Sequence, residues 1–458
     1  MKKINSGADF SQGRARVHSR ECSEAAGPGI YVHVPFCVRK CLYCDFNSYS
    51  GCTDEQQKRY FEALYKEAEL LFPGGKMSRI MNNAFGEGGS LAEKEASGDG
   101  GQRPEKRGDG GVYCDEYGEP ADTLFIGGGT PSSVDPRYIA RLAEKLPLAP
   151  GAEMSIECNP GTLSGEKLDI YRSAGFNRLS IGVQSFINSE LKVLGRIHDA
   201  STAEKTIMEA RRHGFDNINI DLMFGFPSQT MESWKETLGR ALSFEPDHIS
   251  FYSLQIEEGT PFHDMFRSGD LEQVSDELNR DMYHYAVNFL REHGYHHYEI
   301  SNAALPGREC RHNLKYWTMA PYIGLGAGAH SFYGSTRRYN PSGLEEYCSM
   351  IERAYERRGG SVPYYINGAG EDDPAETDFS ESENMDDLIS DCMFTGLRLT
   401  DGIDDREFRR MFGIGLEERF GAQIRKYTSE GLMTFENGKL AFTKRGIDVS
   451  NSILIDFI

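Results

Sequence analysis

Six short β-rich runs constrain the fold more than any other feature of this sequence: GIYVHVPF, ADTLFIGGG, GAEMSIECNP, FNRLSIGVQS, NINIDLMFGFP and DHISFYSLQIE. Most are bounded by Gly or Pro. Their apolar residues are near-continuous or β-branched, as strands buried on both faces require. Helix-forming stretches lie between them. In TDEQQKRYFEALYKEAELLF the residues Tyr60, Leu64, Ala68 and Leu71 fall on one face. SGEKLDIYRSAG, ASTAEKTIMEARRHG and TMESWKETLGRALSF behave similarly. Strand alternating with helix predicts parallel βα units. The count is lower than a closed barrel uses, so the expectation is an α/β fold with an open, partial (β/α)6 barrel. In such folds chemistry gathers at the C-terminal ends of strands. Cys37, Gly127 to Thr130, Glu157, Gln184, Asp221 and Ser253 stand at those ends.

The chain has 458 residues, enough for more than one core. Residues 1–28 read as an N-terminal extension and 29–335 as the barrel domain. A flexible insertion is expected at 75–120, where GEGGSLAEKEASGDGGQRPEKRGDGG is too poor in large apolar residues to order itself. Residues 336–387 form a connecting segment with an acidic loop, GEDDPAETDFSESENMDD, which reads as solvated chain. The stretch after about residue 270 turns more helical. The last part, 388–458, predicts a small, mainly α-helical domain whose helix, hairpin, helix order is that of a winged helix.

The formal net charge is −20, which argues against broad contact with nucleic acid or anionic lipid. No apolar run is long enough to span a bilayer, and MKKINSGADFSQGRARVHSR lacks the apolar core of a signal peptide. The expected location is the cytoplasm, where the ten cysteines stay reduced and free for metal or redox work.

Cys37, Cys41 and Cys44 follow the first strand within CVRKCLYCDF. Three thiolates can hold three corners of a [4Fe–4S] cube and leave the fourth iron open to a small molecule. A structural zinc site would close with a fourth protein ligand; Cys52 and His33 are available for that. An open iron at a strand end points to catalysis or redox work.

CxxxCxxC, with Tyr43 before the last cysteine, resembles the signature of radical S-adenosylmethionine (SAM) enzymes. In that superfamily SAM chelates the open iron, and an electron from the cluster cleaves it to a 5′-deoxyadenosyl radical. GGGTPS, 127–132, stands where the superfamily places its glycines against SAM. Together with IECNPGT, RLSIGVQSF, LGRIHDA, NIDLMFGFP and GTPF, the motifs resemble the family of the oxygen-independent coproporphyrinogen III oxidase and its haem-chaperone relatives. The resemblance implies SAM contacts at Tyr31, Tyr43, Gly128, Gly129, Thr130, Glu157, Gln184, Arg196, Asp221 and Ser253. Asp221 and Gln184, taken alone, also suit satisfied polar positions at strand ends, and His33 suits either a contact beside the cluster or packing.

Two features divide the branches of that family. The oxidase resembles CxxxCxxCxC, and Phe46 stands at the position of its extra cysteine. The segment CRHNLKYW, 310–317, matches an HNxxYW motif associated with haem in the chaperone branch. There His312 would ligate iron and Tyr316 or Trp317 would stack on the porphyrin. The same residues also suit a capped turn feeding an aromatic core. Cys310 and His330 are weaker ligand candidates. The resemblance implies a chaperone that binds haem and a SAM-ligated [4Fe–4S] cluster, needs an electron donor, and passes haem to a haem-accepting protein. The alternative it implies is the oxidase itself, which converts two propionates to vinyls.

Overall fold

The structure is a computed structural model and describes residues 27–75, 119–333, 336–357, 380–382 and 384–458. Nearly all of the expected N-terminal extension and insertion, and most of the acidic loop, lie outside the described residues.

The six β-rich runs form β1 (Gly29–Val34), β2 (Ala121–Gly128), β3 (Leu148–Cys158), β4 (Arg178–Gln184), β5 (Asn217–Phe224) and β6 (His248–Ser253). They pair in parallel and in chain order. Helices α1 (Asp54–Leu71), α2 (Pro136–Ala143), α3 (Gly165–Ser173), α4 (Ala200–Arg212) and α5 (Met231–Leu242) connect them, and α6 (Asp276–Glu292) follows β6. Every residue of β4 is buried, which is why its run lacks polar alternation. Helix α1 opens on a capping box between Thr53 and Gln56 and buries Tyr60, Leu64, Ala68 and Leu71, the face that periodicity predicts.

The region after residue 270, expected to be mainly helical, extends the sheet instead. It adds β7 (His296–Glu299), β8 (Asn302–Ala304), β9 (Tyr322–Leu325), β10 (His330–Tyr333), β11 (Thr336–Tyr339) and β12 (Ser380–Ser382). Strand β9 pairs in parallel with β1, Gly29 opposite Tyr322, while β8 closes on β6 antiparallel. The sheet order is β12-β11-β10-β9-β1-β2-β3-β4-β5-β6-β8-β7. The sheet stays open, because its first and last strands do not pair. The short helix α7 (Arg311–Trp317) and the longer α8 (Leu344–Arg357) flank this half. Buried Glu67 of α1 accepts from Gly326 N, Asn340 Nδ2 and Tyr347 Oη at 2.9, 2.7 and 2.6 Å. It therefore fastens α1 to the chain just beyond β9, with its oxygens satisfied.

A second apolar core is built from α9 (Met385–Gly396), α10 (Asp405–Phe412), α11 (Leu416–Ser429) and the hairpin of β14 (Met433–Glu436) and β15 (Lys439–Phe442). The expected helix, hairpin, helix order is present. A short strand, β13 (Ile403–Asp404), adds to the hairpin. The unit meets the barrel where Ile300 N donates to Arg398 O and Thr400 N to Tyr298 O, both at 3.1 Å. Among the described residues no helix is long and apolar enough to cross a membrane.

Candidate functional site

The C-terminal ends of β1 to β6 surround one cleft, with an empty volume of about 1260 Å³ including its solvent-open part. Cys37, Cys41 and Cys44 line it together with Gly128, Gly129, Thr130, Glu157, Gln184, Arg196, Asp221 and Tyr43. Residues scattered from 37 to 221 thus meet because each sits at or near the end of a parallel strand. Cys37 Sγ lies 3.5 Å from Thr130 Oγ1, and Arg196 Nη1 lies 3.4 Å from Cys41 Sγ. Burial pushes the Cys37 and Cys44 thiols up, so a metal must displace a proton to bind them.

The glycines next to the thiols are there for space. Gly128 has φ 113°, and a Cβ on it would lie 2.8 Å from the His33 ring. A Cβ on Gly129 would lie 2.8 Å from Phe36 O and 3.0 Å from Cys37 Sγ. Only glycine leaves this cradle open beside the cysteines. Gln184 takes a left-handed φ of 69° at the end of β4, a strained geometry for a side-chain residue, and accepts from Tyr252 Oη at 3.2 Å.

Two carboxylates face the cleft. Glu157 Oε2 accepts from Gly128 N at 3.1 Å, and burial, with Asp221 close by, raises its pKa to about 8. Asp221 accepts from Asn219 Nδ2 at 2.6 Å and from Ser180 Oγ at 3.3 Å; burial raises its pKa too. Arg196 is fixed in place by Nη2, which donates to Asn159 Oδ1 at 2.7 Å and to Gly182 O at 2.5 Å.

Ser253 is not brought to the cleft: Asn279 Nδ2 donates to its hydroxyl at 2.7 Å. Tyr31 lies inside the barrel, its hydroxyl 2.9 Å from His33 Nδ1 and its ring stacked near Phe125. The other nitrogen of His33 meets Asn47 O at 2.8 Å. Cys52 packs against the main core instead. Neither candidate for a fourth protein ligand is therefore presented to the three thiols. The donor set fits an open cluster better than a closed zinc site.

The haem candidates lie at the other end of the barrel. Helix α7 is docked there by Glu153, whose oxygens accept from Arg311 N and His312 N, both at 3.1 Å. Lys315 Nζ sits 2.7 Å from Asp122 Oδ1. His312 is fully buried, and both its ring nitrogens are engaged, Nδ1 with Thr123 Oγ1 at 2.8 Å and Nε2 with Tyr316 Oη at 2.9 Å. Its ring stacks on Phe125 at 5.4 Å between centroids. Tyr316 packs edge-on to Tyr322, and the Arg398 guanidinium covers the Trp317 ring at 4.6 Å. The motif is thus folded as a core helix, with no free histidine nitrogen in this conformation. Cys310 is buried, its Sγ 3.7 Å from Glu153 Oε1, and the His330 ring stacks on Tyr339.

The sequence reading missed Asn159, Arg178, Asn219 and Asn313, which also line the cleft. Asn159 and Arg178 stand inside two of the quoted motifs, IECNPGT and FNRLSIGVQS. A charged residue inside a fully buried strand was the available signal.

Residues 113–241 match the model of the radical SAM superfamily, and 385–449 match that of the HemN C-terminal domain. The chain is 32% identical to "Heme chaperone HemW" of Bacillus subtilis over 93% of its own length and 98% of that protein. The chain belongs to the HemW family. The Escherichia coli member is 34% identical over 66% of this chain and 69% of its own. "Radical S-adenosyl methionine domain-containing protein 1, mitochondrial" of Bos taurus is 30% identical over 94% of this chain and 87% of its own. The solved coproporphyrinogen III oxidase (HemN) of Escherichia coli shares the fold, with a TM-score of 0.68 at 22% identity over 94% of this chain and 90% of that one. Membership of this radical SAM family brings a [4Fe–4S] cluster and SAM as cofactors.

Proposed function

We propose that this HemW-family chain is a haem chaperone: it binds haem and a SAM-ligated [4Fe–4S] cluster and hands the haem to an acceptor haem protein. The observation that carries the reading is the near full-length likeness to "Heme chaperone HemW" of Bacillus subtilis. Cys37, Cys41 and Cys44 are assigned to the cluster. The cradle at Gly128 to Thr130, with Tyr43, Glu157, Gln184, Arg196 and Asp221, is assigned to SAM. The carboxylates would take ribose hydroxyls and Arg196 the SAM carboxylate. When bound, the cluster supplies one electron at a time, from an external donor.

Phe46, at the position of the oxidase's extra cysteine, is 62% exposed on the rim of the cleft. Val38 and Ile197 are also exposed near the cysteine loop, 62% and 56%. An apolar rim suits a flat apolar ligand or an acceptor surface. The HNLKYW segment is assigned to haem, with His312 free for iron only once its bond to Tyr316 opens. Reduced thiols and an oxygen-sensitive cluster suit the cytoplasm.

The test is an anaerobic incubation of the reconstituted protein with coproporphyrinogen III, SAM and a reductant, beside a haem titration. The chaperone reading expects stoichiometric haem binding and no vinyl-bearing product. Vinyl products without haem binding would assign the chain to the oxidase reaction.

A further inference from the structure

Deep in the barrel, below the carboxylates assigned to SAM, lies a buried charge that feels Glu153 and Asp221 without direct contact from either. Arg178 opens β4 and is 1% exposed. Its Nε is buried without a hydrogen-bond partner, and among the described residues no ion pair reaches its guanidinium. A buried charge left unpaired is costly, so folded proteins pair it with a partner or a ligand.

The neighbouring carboxylates are already committed. Asp221 is held by Ser180 and Asn219, Glu157 by Gly128 N, and Glu153 by the first amides of α7. None of them is within ion-pair distance of Arg178. Of the amide side chains that line the same chamber, Asn313 of the HNLKYW segment is uncommitted, whereas Asn302 donates Nδ2 to Glu299 Oε1 and leaves only its acceptor Oδ1 without a partner. Asn313 makes no side-chain hydrogen bond among the described residues. It is the one polar motif residue between His312 and Trp317 that packing leaves unexplained.

We propose that the floor of this chamber is a carboxylate site, in which the Arg178 guanidinium and the amide donor of Asn313 receive a propionate of haem. The planar fork of Arg178 matches a carboxylate in bidentate fashion. The assignment rests on the haem reading above. A free small carboxylate has the same chemistry and is the other source.

The experiment uses the full chain with its cluster reconstituted and no SAM. Haem and haem dimethyl ester, which lacks both carboxylates, are titrated by the Soret band into the parent, Arg178→Gln and Asn313→Ala. Sodium propionate is titrated in parallel by ligand-observed NMR. A charged hydrogen-bonded contact predicts that the parent prefers haem to its ester by roughly ten- to a hundredfold. Arg178→Gln should erase that preference, and Asn313→Ala should reduce it. Should Arg178→Gln lose its cluster absorbance or its melting transition, Asn313→Ala in the folded background decides. Propionate binding that Arg178→Gln removes, with haem and ester bound alike, keeps the carboxylate site and makes its ligand a free acid. No preference for haem and no Arg178-dependent propionate binding would overturn the proposal. Failure of the parent to bind either haem or ester would sink the haem reading instead, and the propionate arm alone would then decide the site.

Discussion

Nε2 of His312 and the hydroxyl of Tyr316 share one hydrogen bond at 2.9 Å, a single helical turn apart. That bond stands between the histidine and any iron, because Nδ1 is engaged by Thr123. Tyr316→Phe removes the competitor and keeps the ring. Release from a neutral hydrogen bond is worth about 0.5–1.5 kcal/mol, so haem affinity should rise roughly two- to tenfold. His312→Ala should shift or abolish the Soret band. A Soret titration checks both, and unchanged spectra in both variants would take His312 out of the haem site.

His312 also sets an acid limit on the fold. Burial, with Lys315 and Arg178 near, lowers its pKa to about 3, against an ordinary 6.5. The unfolded chain then binds a proton that the folded chain refuses. Stability from this group is full above pH 6.5 and is lost progressively as pH falls towards 3. At most one proton is involved, or about 1.4 kcal/mol per pH unit. Denaturant midpoints measured between pH 7 and 4 should fall less steeply in His312→Gln than in the parent.

Glu157 works in the opposite sense. Its folded pKa of about 8 lies above the unfolded value, so its contribution is present at low pH and is lost as pH rises through 8. Glu157→Gln stays neutral and should hold its stability at pH 9 where the parent weakens. Above pH 8, where Glu157 is ionised, the same variant should bind SAM roughly ten- to a hundredfold more weakly, as should Asp221→Asn, because each then loses a charged acceptor. Isothermal titration measures the affinity, and the cluster absorbance should survive in both. Equal SAM affinity in parent and variants would remove these carboxylates from the cofactor site.

The thiols give a cleaner prediction. Cys37→Ala, Cys41→Ala and Cys44→Ala should each abolish the iron–sulfur absorbance after anaerobic reconstitution, while Cys52→Ala should not, since Cys52 packs against the main core. Zinc without iron in anaerobically purified protein would contradict the assignment.

The parallel half of the barrel was legible because strands buried on both faces write near-continuous apolar runs. Strands β7 to β11 are three or four residues each and interrupted by Gly or loops, so their pairing over long range leaves no local period. The cleft was legible at Cys37, Gly128, Glu157 and Asp221, whose positions follow from strand ends. Ser253 could not be told from these by sequence, because its diversion to Asn279 depends on where α6 packs. The same holds for His312: a motif gives residue types, and only packing shows that Thr123 and Tyr316 occupy both nitrogens.

Handover of haem is the central claim, and its kinetics test it most directly. Haem-loaded protein is mixed anaerobically with a purified apo haem protein in a stopped-flow instrument, and the acceptor's Soret band is followed at rising acceptor concentration. A chaperone passes haem within a complex, so the transfer rate should climb with acceptor concentration until the complex saturates. A rate that stays at the spontaneous haem release rate at every acceptor concentration would contradict the chaperone assignment.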